Sequence, residues 1–85
     1  MNNNLFGLTE RELVVLTYSL KGKSNRDIAE KLFVTLSSIK AHIHNLLEKT
    51  NTKTKQELIA KFYCMLLNTE IDDIDVMIEN FVHKQ

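Results

Sequence analysis

Four residues in one short stretch suit hydrogen-bonding chemistry at a surface: Ser37, Lys40, Ala41 and His44. At about 100° per residue they share one stripe of a helix, with Ser38 and Asn45 further round. Leu36, Ile39, Ile43, Leu46 and Leu47 share another stripe. The second stripe can pack inward. The first is small, polar and basic, with no bulky apolar group, which is what a DNA major groove can admit. Lys40 can donate to guanine O6 or N7, and Ala41 permits close approach to a thymine methyl. His44 can donate or accept, and its protonation adds a contact. Ser37, Lys40, Ala41 and His44 are therefore the candidate base contacts.

The surrounding elements must hold that stripe outward. Residues 24–50 read as two helices joined by a short turn. Thr35 caps the second of them, so its first amides and hydroxyls point outward, as phosphates require. Asn51 can take the left-handed backbone that closes it. Before this pair, Thr9 and Glu12 form a capping box, and Leu13, Leu16 and Leu20 recur at helical spacing, which predicts that they face inward. Gly22 stops that helix. Ser24 with Asp27 predicts a second box, with Ile28, Ala29 and Leu32 inside; Phe33 and Val34 form a turn expected to pack on the core. Leu5, Phe6 and Leu8 are expected to staple the lead-in down. Thr54 with Glu57 predicts a third box and a fourth helix.

That fourth helix is apolar over more of its circumference than one buried side needs. Leu58, Ile59, Phe62, Tyr63, Met65, Leu66 and Leu67 span roughly 200° of it. The excess implies a second packing surface, most simply the same helix in another subunit; the competing reading is that a fifth helix folds back over it. Ile71, Ile74, Ile78, Phe81 and Val82 repeat at helical spacing within an acidic tail. The expected organisation is a lead-in over 1–7, a core domain over 8–67 and an acidic amphipathic helix over 68–85.

The chain has 85 residues, no proline and a formal net charge of zero. Zero net charge conceals an asymmetry. Residues 21–65 carry nine Lys and Arg against four Asp and Glu, a net +5, whereas residues 66–85 carry five acids against Lys84, a net −4. Phosphate contact depends on local rather than total charge. No apolar run is long enough to cross a bilayer, so no membrane partner is expected. The lone Cys64 excludes an intramolecular disulfide and suggests a reducing cytoplasm. It reads as a core filler, with an intersubunit disulfide as the alternative. His42, His44, His83 and Cys64 lack metal-ligand spacing, and no nucleophile–base set can be assembled, so neither a cofactor nor catalysis is expected. His42 lies to one side of the outer stripe and reads as structural.

Three blocks in order then resemble the LuxR/GerE-type helix-turn-helix family of bacterial transcription regulators. They are LTERELVVL at 8–16, GKSNRDIAEKL at 22–32 and TLSSIKAH at 35–42; the likeness runs to about Tyr63. It implies an all-α fold: a four-helix domain of that type, here with an additional C-terminal amphipathic helix. It implies a transcription regulator that binds double-stranded DNA, with base contacts from Lys40, Ala41 and His44. Backbone contacts are implied for Asn25, Thr35, Ser38 and Lys55, and Lys49 is placed with them. The fourth helix would make a two-fold homodimer, for which Ile59, Tyr63, Leu66 and Leu67 are the candidates.

The sequence departs from the family pattern at three positions. Thr50 stands for the usual leucine and is expected to loosen the end of the third helix. Asn51 replaces glycine, and Lys55 replaces arginine, which keeps the charge but loses bidentate phosphate contact. Nothing precedes the helix-turn-helix, so a stand-alone regulator is expected, with a piece of a larger one as the alternative. The acidic helix has three readings: an extension of the dimer interface, which burial of its isoleucines favours; a contact for RNA polymerase or another regulator; or a mask over the basic face. A different class also stays open, a protein-interaction module of the same fold with little DNA affinity.

Overall fold

The computed structural model describes residues 6–68 and 73–83. Five helices follow one another: α1 (Glu10–Leu20), α2 (Asn25–Leu32), α3 (Leu36–Thr50), α4 (Lys55–Leu66) and α5 (Ile74–His83). No strand occurs among the described residues, so the all-α expectation holds with five helices. Helix α3 is the centre of the arrangement, with α1, α2 and α4 packed round it. Its buried positions are Ile39, Ile43, Leu46 and Thr50, and Leu36 and Leu47 are half-buried beside them. They meet Val15 and Leu16 of α1, Ile28 and Ala29 of α2, Leu58 of α4, and Leu8.

Short polar side chains start each of the first four helices. The Thr9, Ser24, Thr35 and Thr54 hydroxyls accept from the amides of Glu12, Asp27, Ser38 and Glu57 at 3.0–3.1 Å. Each satisfies an amide that the helix itself leaves without a partner. Only α1 has the full reciprocal box, because the Thr9 amide also donates to Glu12 Oε1 at 2.9 Å. The second and third boxes read from the sequence are half formed. No such return bond from Asp27 to Ser24 occurs among the described residues, and the Glu57 carboxylate takes the Lys53 amide at 2.8 Å, one residue before the cap.

Helix α1 is rotated from the orientation that its leucines predict. Leu13 is exposed, and the buried stripe is Glu12, Val15, Leu16 and Ser19. Those four lie within about 100° of the helix circumference, and Leu13 falls about 60° beyond Leu16, so it does not face the core. Glu12 does, because it is held there by the α1 cap and by Lys49 of α3, whose Nζ lies 2.7 Å from Glu12 Oε1. The buried Ser19 hydroxyl donates to the Val15 carbonyl at 2.9 Å, so its burial leaves no polar atom without a partner.

Burial works to raise the Glu12 carboxyl's pKa. Against it act hydrogen bonds from Lys49 and Thr9 and the nearby Lys49 charge, and together they hold it below the usual glutamate range. A carboxyl with a folded pKa below its unfolded one stabilises the fold at neutral pH. That contribution is complete above the unfolded value and disappears as pH falls through the folded one. Denaturation midpoints are therefore expected to fall below about pH 5. In Glu12→Gln the midpoint is expected to be lower at pH 7 and less sensitive to acid over the same window. Urea titrations of both proteins at a series of pH values measure this.

The α2–α3 turn also differs from expectation. Val34 packs against the core, but Phe33 is 95% exposed and sits at φ 58°. Its conformation comes from the way α2 closes: the Val34 amide reaches back to the Ala29 carbonyl at 3.0 Å, the terminal bond of a Schellman motif, which requires a left-handed residue in between. Phe33 supplies that residue at a steric cost, and its ring gains nothing from burial. Phe33→Gly is expected to stabilise the protein by about 1 kcal/mol, as read from its thermal midpoint.

Thr50 does not loosen α3. It is fully buried, its hydroxyl lies 2.7 Å from the Leu46 carbonyl and 2.9 Å from the Thr52 hydroxyl, and Asn51 closes the helix at φ 57°. From α4, Lys61 Nζ donates to the Thr50 carbonyl at 2.6 Å, a cation at the negative end of α3.

Helix α4 divides its apolar residues. Leu58 is fully buried, and Phe62 packs against the core and meets Phe6 with ring centroids 5.5 Å apart. Cys64 is buried, as a core filler would be. Tyr63, Met65, Leu66 and Leu67 are exposed, the last two at 69% and 59%. Helix α5 therefore does not cover them, and the reading in which it folds back over α4 fails for these residues. Val76 and Ile78 of α5 are exposed as well. Leu5 and Ile71, and the side chains of Ile74, Phe81 and Val82, lie outside the described residues.

Candidate nucleic-acid interface

The outer stripe of α3 forms because its opposite stripe is buried. Ile39, Ile43 and Leu46 fix the helix's rotation, and Ser37, Lys40, Ala41, His44 and Asn45 are all left exposed. Lys40 has no ion-pair partner among the described residues, so its ammonium is available to an incoming acceptor. No large apolar side chain interrupts the stripe. Thr35 is exposed at the start of the helix, its hydroxyl engaged with the Ser38 amide, and Ser38 is half-buried. His42 is half-buried, away from the exposed stripe.

Two further expected contacts lie together at a second point. Lys55, at the start of α4, reaches the start of α2, with its Nζ 2.9 Å from Asn25 Oδ1 and 3.0 Å from the Lys23 carbonyl. The start of α4 is thus tied to the start of α2. Burial lowers the Lys55 pKa from its ordinary value. An ammonium has three donors, so one remains for a further acceptor.

Lys49 stands apart from these residues. Its Nζ is engaged by Glu12 Oε1 at 2.7 Å and the Gly7 carbonyl at 3.2 Å. It ties the end of α3 to α1 and to the lead-in, and its charge is already paired with a carboxylate that is only 3% exposed. In this arrangement Lys49 serves the fold, and one of its three donors remains. Its partner is 37 residues away in sequence, so no local pattern announces the pairing.

The sequence reading also passed over Glu48. Its Oε2 lies 3.3 Å from His44 Nε2, one turn further along α3, and both side chains are exposed. The i,i+4 spacing was the available signal.

Among the described residues, no group of His, Cys, Asp and Glu could hold a metal ion. None of the described helices is long and apolar enough to cross a membrane.

A helix-turn-helix with a small, basic outer stripe on its second helix now has a counterpart among known proteins. Residues 7–62 match the family described as bacterial regulatory proteins, luxR family. The chain belongs to that family. The luxR family is one of DNA-binding transcription regulators of helix-turn-helix type, not a family of enzymes. Similar proteins include the oxygen regulatory protein NreC of Staphylococcus epidermidis, 46% identical over 52 residues, which is 61% of this chain and 24% of that protein. The transcriptional regulatory proteins YxjL and LiaR of Bacillus subtilis are 45% and 40% identical over 51 and 50 residues. Those matches cover 60% and 59% of this chain, and 23% and 24% of the two relatives. The match therefore spans about a quarter of the length of these luxR-family relatives. Helix α5 lies outside the segment that matches the family.

Proposed function

We propose that this luxR-family chain is a sequence-specific DNA-binding transcription regulator that places α3 in the major groove. The observation that carries the reading is the division of α3 itself: one stripe buried or half-buried, the other polar and open, with Lys40 exposed on it. In the complex, Lys40, Ala41, His44 and Ser37 read base edges. Thr35, Ser38 and the Asn25–Lys55 pair meet the sugar-phosphate backbone, where contacts set register and base contacts set sequence. A net +5 over residues 21–65 supplies the attraction to phosphate. The NreC, YxjL and LiaR names support regulation as the setting.

Selection of duplexes from a random pool, followed by affinity measurements across a salt series, tests this. The expected result is an enriched motif, with affinity falling steeply and log-linearly as salt rises. Binding that ignores both sequence and salt overturns it, and little affinity for any duplex favours a protein-interaction module of the same fold.

The same regulator acts as a homodimer through α4 and reads a roughly palindromic site. Tyr63, Leu66 and Leu67 are exposed and Ile59 is half-buried, a larger apolar surface than a solvated helix needs. Exposed Val76 and Ile78 support α5 as an extension of that interface. Leu66→Glu is expected to weaken the dimer by at least about 2 kcal/mol, roughly 30-fold. Sedimentation over a concentration series measures it, and an unchanged mass distribution argues against the α4 interface.

A further inference from the structure

We propose that Glu48 is a positioning residue that sets which nitrogen of His44 reads DNA; the proposal rests on the DNA-binding reading above. Glu48 lies one turn beyond His44 on the same exposed stripe, with its Oε2 3.3 Å from His44 Nε2. A carboxylate can only accept, so this neighbour favours the imidazole form that carries its proton on Nε2. With Nε2 turned to Glu48, Nδ1 is the nitrogen left for a base edge. A free imidazole offers either nitrogen and reads two patterns at once. One held from the side offers a single pattern, and discrimination at that base step sharpens. Glu48 also places a negative charge beside the phosphates, which opposes binding to every sequence alike. These two effects have opposite signs.

The test compares wild type, Glu48→Ala, Glu48→Gln, His44→Ala and the His44→Ala/Glu48→Ala double variant on selected and random duplexes at fixed salt and pH. Glu48→Ala is expected to bind random duplex about twofold more tightly. It is also expected to lose about threefold of its preference at one base step per half-site. Glu48→Gln is expected to show the same gain on random duplex and the same loss of preference, because its amide can donate to Nε2 as readily as accept from it. His44→Ala loses preference at that same step, and the double variant loses no more. An unchanged preference in Glu48→Ala overturns the proposal, as does a preference kept in full by Glu48→Gln. If wild type enriches no sequence, the DNA-binding reading itself fails and takes the proposal with it.

Discussion

Lys40→Ala is expected to lower affinity for the selected duplex by about 1–3 kcal/mol per half-site, roughly 5- to 150-fold, while leaving the fold intact. Lys40 is exposed and has no ion-pair partner among the described residues. Nothing among the described residues therefore depends on its ammonium, and the stability change should stay within about 0.5 kcal/mol. The loss should be concentrated at one base step, where the wild-type preference relaxes. Random duplex should be affected much less. Competition titrations against single-base variants of the selected site measure both effects. A uniform loss across all sequences would make Lys40 a phosphate contact and move base reading to its neighbours.

Ile39→Ala, one residue away, is expected to have the opposite profile. Ile39 is 0% exposed and stands in the core where α1, α2 and α3 meet. Truncating it removes buried apolar surface and leaves a cavity that the surrounding helices fill only in part, at a cost of about 2–5 kcal/mol. A domain this small has few kcal/mol in hand, and each one shifts its melting point by about 4–8 °C. The variant is expected to melt well below wild type and to lose DNA binding in proportion to the fraction unfolded. When cooled until folded, it should bind with near-wild-type preference. Ile39→Val, which deletes one methyl group, should cost only about 0.5–1.5 kcal/mol. The two substitutions together separate what α3 buries from what it presents.

Much of this was legible from local chemistry. The hydroxyl caps at Thr9, Ser24, Thr35 and Thr54, the closing Asn51 and the two stripes of α3 all depend on residues within one or two turns of each other. Those are the distances over which helix periodicity and capping operate. Less was legible where the deciding partner is remote. Lys49 looked like a phosphate contact because its type and place in α3 suit one. Its partners in the fold, Glu12 and Gly7, are far away in sequence. Leu13 looked buried because α1 is apolar on two sides, and only the position of Glu12 against Lys49 decides which side faces inward. Phe33 carries a left-handed backbone imposed by the closure of α2, which aromatic character does not predict. The fourth helix displays the same difficulty in reverse: its excess of apolar residues was plain, but only the folded arrangement separates Leu58 and Phe62 inside from Leu66 and Leu67 outside.

The most direct measurement is an NMR titration of the isotope-labelled protein with its selected duplex, followed amide by amide. DNA reading by α3 predicts that the largest shifts fall in residues 35–48, with a second, smaller group around Asn25 and Lys55 and a quiet buried core. Saturation should come at one protein dimer per duplex. Unmoved amides along 35–48, with the shifts confined to α4 or α5, would contradict recognition by this helix.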